Sequence, residues 1–296
     1  MDWDKLRVFH SVAEAGSFTR AGDTLNLSQS AVSRQVSGLE ESLNVTLFHR
    51  HARGLILTEQ GEMLFRTVRE VFAKLAMAEA QLTESKERPK GQLKVTATIG
   101  LGSTWLAPRI GEFLEIYPDV SVDLLLDDRE LDLSMREADV AIRLIPPRQP
   151  ELVQRHLLAI RTHIYAATSY LKRNGMPKTL DDLDRHKLIV YGELVRPPTP
   201  EFNWLLTIGG RDGNARHPVL TVNNIYAILR ATQSGFGLAG LAEFMAEETP
   251  GLVRVLPEIE GPRFDAYFVY PEELRNSKRI QVFRDFLLRK VAEAGM

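Results

Sequence analysis

Between Thr58 and Glu87 the chain runs without proline and, after Gly61, without glycine. Within that run Leu64, Val68, Val71, Leu75, Ala78 and Leu82 follow one another at steps of 4, 3, 4, 3 and 4. This is the seam of a coiled coil, and Phe65, Phe72 and Met77 widen it. With Thr58 as its cap, a helix reaching about Glu87 spans roughly 45 Å at 1.5 Å per residue. So long a stripe outruns what a short N-terminal region can cover. It calls for a partner helix from a second copy, and the six seam residues are the expected dimerisation contacts. Packing of this helix on its own C-terminal region is the alternative.

The seam divides the 296 residues into 1–58, 59–88 and 89–296, within the two or three domains that such a length suggests. Pro89 ends the long helix and Gly91 supplies a permissive hinge. The absence of cysteine excludes a disulfide scaffold, a thiolate metal site and a cysteine nucleophile. The opening MDWDKLRVFH carries acids where a signal peptide needs bases, and no apolar run approaches the ~20 residues of a membrane span. These features point to a soluble protein of the cytoplasm with no membrane partner. Lys and Arg total 37 against 39 Asp and Glu, which argues against indiscriminate polyanion binding but leaves room for a small reading patch.

Residues 1–58 read as three helices and a hairpin. The first runs from about Asp4 to Ala15, with Leu6, Phe9 and Ala13 inward, and stops at Gly16. Ser17 caps the second, which turns Phe18, Ala21 and Leu25 inward. After a turn at Asn26-Leu27, Ser28 caps the third, whose buried positions are Val32, Val36, Leu39 and Leu43. Two helices joined so tightly, over about 18–37, form a helix-turn-helix. Gln29, Ser30, Ser33, Arg34 and Gln35 occupy the first two turns of the third helix, away from its apolar stripe. That part of a recognition helix meets base edges: Arg chelates guanine, Gln pairs with adenine, and Ser serves bases or phosphates. Ser28 and the helix N-terminus suit a phosphate. A plain solvated face is the alternative. The stretch Thr46–Leu57 reads as a wing whose basic tip places Arg53 at a minor groove, or else as an ordinary surface hairpin.

The stretch SFTRAGDTLNLSQSAVSRQVSGLEESLNVTLFHR, followed by LTEQG, resembles the DNA-binding domain of LysR-type transcriptional regulators. Further landmarks are GQLKVTA after the hinge, DVAIR at 139–143, YL-x-x-x-G-x-P at 170–177 and G-x-G-L-A at 235–239. The resemblance therefore covers almost the full length. It implies a winged helix-turn-helix reading dyad-symmetric promoter sites, with Gln29, Ser33 and Arg34 at base-contacting positions and Arg53 as the wing contact. It also implies dimers that pair into tetramers, RNA polymerase as a partner if the protein activates, and a small-molecule effector. Two positions depart from the common pattern: Ser30 replaces a proline, which leaves base preference open, and Gly22 replaces an alanine.

From Pro89 onward strands and helices alternate, which argues for parallel sheets covered by helices. Strands are expected at Leu93–Thr98, Val120–Leu126, Val140–Leu144, His163–Ala167, Leu188–Tyr191, Val219–Val222 and Tyr267–Tyr270. Helices are expected at Trp105–Tyr117, Leu131–Glu137, Asn224–Ser234 and Ser277–Ala294. The fold class is α/β multidomain, and the resemblance implies a two-lobed, periplasmic-binding-protein-like effector domain. Its lobes would span about 91–161 plus 267–296, and 162–266. Two strand-to-helix turns are candidate pocket walls. Ser103 and Thr104 follow Gly100 and Gly102 at a helix start suited to an anion; Asn223 and Asn224 open a later helix. Either pair also fits simple capping. Asp127, Asp128, Arg143 and Tyr191 end neighbouring strands and are further cleft candidates.

No catalytic constellation, metal site or cofactor motif emerges. His49 and His51 share a strand face but lack supporting ligands, and Asp127-Asp128 diverge as neighbours on a strand. Two other classes stay open: a solute-binding or enzymatic domain with an incidental helical N-terminus, and a DNA binder that no longer senses a ligand.

Overall fold

The structure is a computed structural model that describes residues 2–51, 54–83, 88–145, 149, 151–192, 200–209 and 215–295. The chain divides into two compact units, Met1–Thr83 and Glu84–Met296. The long helix thus belongs with the N-terminal unit.

The first unit holds α1 (Trp3–Ala15), α2 (Phe18–Leu25), α3 (Gln29–Leu43), β1 (Phe48–His51), β2 (Gly54–Leu57) and α4 (Glu59–Thr83). Its helix ends follow local chemistry. Gly16 closes α1 at φ 59°, and Asn26 and Asn44 close α2 and α3 in the same left-handed region. The Ser28 hydroxyl accepts the Ala31 N–H at 3.2 Å, and the Thr58 hydroxyl accepts the Gly61 N–H at 2.9 Å while donating to the Thr46 carbonyl at 2.7 Å. Phe9, Val12, Ala21, Val32, Val36 and Leu39 form a fully buried core (0% exposed). One Glu40 carboxylate oxygen accepts the N–H groups of Leu47 and Phe48, at 2.7 and 3.3 Å, and fastens the root of the wing to α3.

Gly22 answers a question the sequence raises. A Cβ there would sit 2.6 Å from the Leu27 carbonyl oxygen, in the turn between α2 and α3. Helix propensity favours alanine by up to ~1 kcal/mol, but the clash is with backbone and cannot rotate away. Gly22→Ala is therefore expected to lower stability by about 1–3 kcal/mol, the usual range for overpacking. Thermal unfolding followed by circular dichroism checks this, and an unchanged or raised midpoint would show that the turn gives way.

The second unit opens with β3 (Gly91–Ala97), α5 (Ile99–Leu101), a wide turn at Gly102–Leu106 and α6 (Ala107–Ile116). There follow β4 (Val120–Leu126), β5 (Val140–Arg143), β6 (Leu152–Ile160), β7 (Thr162–Ala167), α7 (Thr168–Asn174), β8 (Ile189–Tyr191) and β9 (Leu220–Val222). The chain finishes with α8 (Ile225–Gln233), β10 (Leu238–Ala242), α9 (Glu243–Glu247), β11 (Leu252–Val255), β12 (Phe264–Pro271) and α10 (Lys278–Ala294). One lobe carries the sheet β4-β3-β5-β12-β6; the other carries β10-β7-β11 and the pair β8-β9.

Three expectations need correction. The sheets are mixed: β3 runs parallel to β4 and β5, while β12 is antiparallel to β5 and β6, and β7 is antiparallel to β10 and β11. The return strand opens at Phe264 rather than Tyr267. Leu131–Glu137 forms turns, because the Asp132 carboxylate accepts the N–H groups of Ser134 and Met135, at 2.9 and 3.2 Å, in competition with helical bonds.

A single residue, Arg161, joins β6 of one lobe to β7 of the other. Buried apolar residues of both lobes share a core: Val95, Ile142 and Phe268 from the first, Tyr191, Ile228 and Leu241 from the second.

Candidate functional site

The N-terminal unit presents α3 as its candidate reading element. Val32, Val36 and Leu39 hold one face of it in the core, which leaves Ser28, Gln29, Ser30 and Arg34 exposed. Ser33 and Gln35 are half-buried. The hydroxyls of Ser28 and Ser30 lie 3.1 Å apart at the helix start. Arg53 lies outside the described residues.

The seam on α4 divides by burial. Val68 is 3% exposed and, with partly buried Leu64, Phe65 and Phe72, packs into the unit's own core. Val71 and Leu75 are 40% and 50% exposed. The side chains of Ala78 and Leu82 lie outside the described residues.

In the second unit a narrow cavity of about 50 Å³ lies between the two lobes. Asp128 reaches it from beyond the end of β4, and Tyr191 from the end of β8. The Tyr191 hydroxyl donates to Asp128 Oδ2 at 3.3 Å, and Asp128 Oδ1 accepts the Ile99 N–H at 3.0 Å. Burial, reinforced by the Asp128 charge, pushes the Tyr191 phenol up to about 12, so it stays protonated and donates. Asn203 clamps the Tyr191 backbone, accepting its N–H and donating to its carbonyl, both at 3.0 Å. Thr98 and Thr162 also line it, and the rest of its described wall is apolar, including the aromatic residues Phe202, Trp204, Phe244 and Phe264. Phe202 and Phe264 stack with centroids 4.7 Å apart.

The other sequence candidates are placed elsewhere. Arg143 is buried and donates to the Asp127 carbonyl and to Thr96 Oγ1, tying the β-strand ends together. Burial lowers its pKa from the ordinary guanidinium value, against the raising effect of Asp128 and Asp127. Asp127 grips Arg129, whose hydrogen bonds hold the carboxyl below its usual range. Thr104 donates to the Gly100 carbonyl at 2.8 Å, and Asn224 caps α8 by accepting the Ala227 N–H at 3.0 Å. Ser103 is half-buried and Asn223 exposed, and neither lines the cavity. Gly100 serves protein packing: a Cβ on it would collide with Ile225 at the start of α8.

A second, larger groove of about 380 Å³ is lined by charged residues, among them the pairs Arg161 with Glu243 at 2.8 Å and Arg109 with Glu248 at 3.6 Å, together with Glu247 and Arg263. Among the described residues, no three His, Asp or Glu side chains converge as a metal site, and no helix is long and apolar enough to cross a membrane.

A winged helix-turn-helix unit joined in one chain to a two-lobed α/β unit with a cavity between its lobes defines a ligand-responsive DNA-binding regulator. Residues 3–62 match the bacterial regulatory helix-turn-helix protein, lysR family, and residues 86–292 match the LysR substrate binding domain. The chain belongs to the LysR family of transcriptional regulators. It is 32% identical over 295 residues to an HTH-type transcriptional regulator of Xanthomonas campestris, covering 98% of this chain and 86% of that one. Among solved structures it is similar to CrgA, a LysR-type regulator from Neisseria meningitidis (30% identity, TM-score 0.62, covering 98% of this chain and 99% of that one). It is also similar to the Vibrio cholerae virulence activator AphB (26% identity, TM-score 0.64, covering 98% and 99%). The protein is thus a DNA-binding transcriptional regulator with an effector-binding C-terminal domain.

Proposed function

We propose that this regulator reads a dyad-symmetric promoter site as a homo-oligomer and that occupancy of the inter-lobe cavity changes how its heads engage DNA. Gln29, Ser33 and Arg34 read base edges, while Ser28 and Ser30 hold phosphate and Gln35 supports the same face. The observation that carries the reading is α3, anchored by its apolar stripe with Gln29 and Arg34 left exposed at its N-terminal end. Residues 1–90 hold 12 Lys and Arg against 12 Asp and Glu, so one head has little non-specific affinity. Pairing through Val71 and Leu75 of α4 supplies the missing strength by effective concentration, and dimers pair further into tetramers. Contact with RNA polymerase follows where the outcome is activation.

The direct test is a footprint on the DNA upstream of the protein's own gene. Protection of two half-sites separated by whole helical turns is expected. Protection without dyad symmetry would end the proposal.

The cavity has its own test. Ala242 lines it and is 8% exposed, so Ala242→Val, whose two added methyl groups take up roughly the free volume, fills it from within. Operator binding is expected to persist while any effector-dependent change in affinity disappears, read by fluorescence anisotropy with and without cell extract. A retained response would place the effector elsewhere.

A further inference from the structure

The groove of about 380 Å³ sorts its charged walls by lobe. The first lobe supplies Arg109 of α6 and Arg263 at the entry to β12, and Arg161 of the crossover also lines it. The second lobe supplies Glu243 and Glu247 of α9 and Glu248 just after it. Ile160 and Phe244 lie among these charges and also line the inter-lobe cavity, so the two spaces share a wall. The groove's volume falls within the range of small-molecule sites, about 300–1,000 Å³.

Arginines on one side and glutamates on the other make a dipolar slot. A small anion gains a guanidinium there but faces carboxylates, and a small cation meets the reverse. A molecule that carries both charges satisfies both walls at once. The pairs already present leave room for exchange. Arg161 is 62% exposed in its pair with Glu243, and Glu248 is 57% exposed in its pair with Arg109. Ion pairs so open to water contribute little. Arg263 and Glu247 lie outside both pairs and are exposed. We propose that the groove is a second small-molecule site, which takes a compact zwitterion with an ammonium and a carboxylate on one short apolar chain. The carboxylate lies on Arg263 and the ammonium on Glu247, with Ile160 and Phe244 against the chain. Because its two walls belong to different lobes, the bound zwitterion ties one lobe to the other. Its influence on DNA rests on the regulatory reading above, whereas its binding does not.

The test uses the full-length protein and three probes built on one four-carbon chain: 4-aminobutyrate, butyrate and butylamine, each titrated by calorimetry. The zwitterion is expected to bind at least about tenfold more tightly than either half, the ratio that one further hydrogen bond to a charged group supplies. Arg263→Gln should bring it down to the level of butylamine, and Glu247→Gln to that of butyrate. Both side chains are exposed, so neither change disturbs the core. No binding of 4-aminobutyrate, equal binding of the three probes, or an unchanged zwitterion affinity in either variant overturns the proposal. Operator affinity, read by fluorescence anisotropy, is expected to shift when 4-aminobutyrate is bound. Binding that leaves operator affinity unchanged keeps the site and overturns its part in regulation.

Discussion

Arg34→Ala is expected to remove sequence discrimination while leaving the oligomer whole. Arg34 stands exposed on α3, one residue beyond Ser33 and on the side opposite the buried Val32 and Val36. Its truncation therefore opens no cavity. A bidentate contact between arginine and guanine is worth about 1–3 kcal/mol of discrimination. Two half-sites double that, so the ratio of operator to scrambled-duplex affinity should fall on the order of 10²- to 10⁴-fold. Arg34→Lys separates charge from geometry. It keeps the positive charge but lacks the planar fork, so non-specific binding and its salt slope should survive while discrimination is lost. Anisotropy titrations across salt measure both, and sedimentation confirms the oligomer. A variant that still prefers its operator would remove Arg34 from the role given to it.

The second large effect is expected from Val71→Asp combined with Leu75→Asp. Both side chains are substantially exposed within the N-terminal unit, so the changes spare its core. Placed on a dimer seam, four carboxylates would face one another across two copies, desolvated and like-charged. The expected result is a monomer at working concentrations. Operator affinity should fall on the order of 10²- to 10⁴-fold as the second head loses its effective concentration. Sedimentation velocity and anisotropy read the two effects separately. Val68 is a poor site for the same experiment, because it is buried against Leu64 and Phe65 and a charge there would unfold the head itself. A dimer that persists in the double variant would move the oligomer contact off α4.

The N-terminal unit was legible because its instructions are local. Ser17, Ser28 and Thr58 are read as caps from the residues that follow them, and each accepts a nearby N–H as expected. The strands β6, β10 and β11 were not legible. β6 carries Gln154, Arg155 and His156 at its exposed middle, which breaks the apolar alternation. β10 is Leu238-Ala-Gly-Leu-Ala242, poor in β-branched residues and held in the sheet by pairing with β7 rather than by propensity.

The cavity was legible in part. Asp128 and Tyr191 were found because strand ends converge in a sheet of this kind. Phe202, Trp204 and Phe264 arrive from a short helical turn and a returning strand distant in the chain, and an aromatic residue alone does not distinguish a cavity wall from a core. The hydroxyl and amide residues at the two helix starts drew attention for good reason. Thr104 and Asn224 turn out to satisfy backbone groups of their own segments.

The fastening of the wing to α3 has a consequence for how such a protein changes over time. Glu40 grips the Leu47 and Phe48 backbone from one flank of the helix, and Thr58 locks the start of α4 to Thr46, while the outward residues of α3 bear none of that scaffolding. On the proposed reading of DNA by those outward positions, drift there would redirect the protein to a new genomic address without remaking the frame, and retargeting and stability would be free to evolve apart.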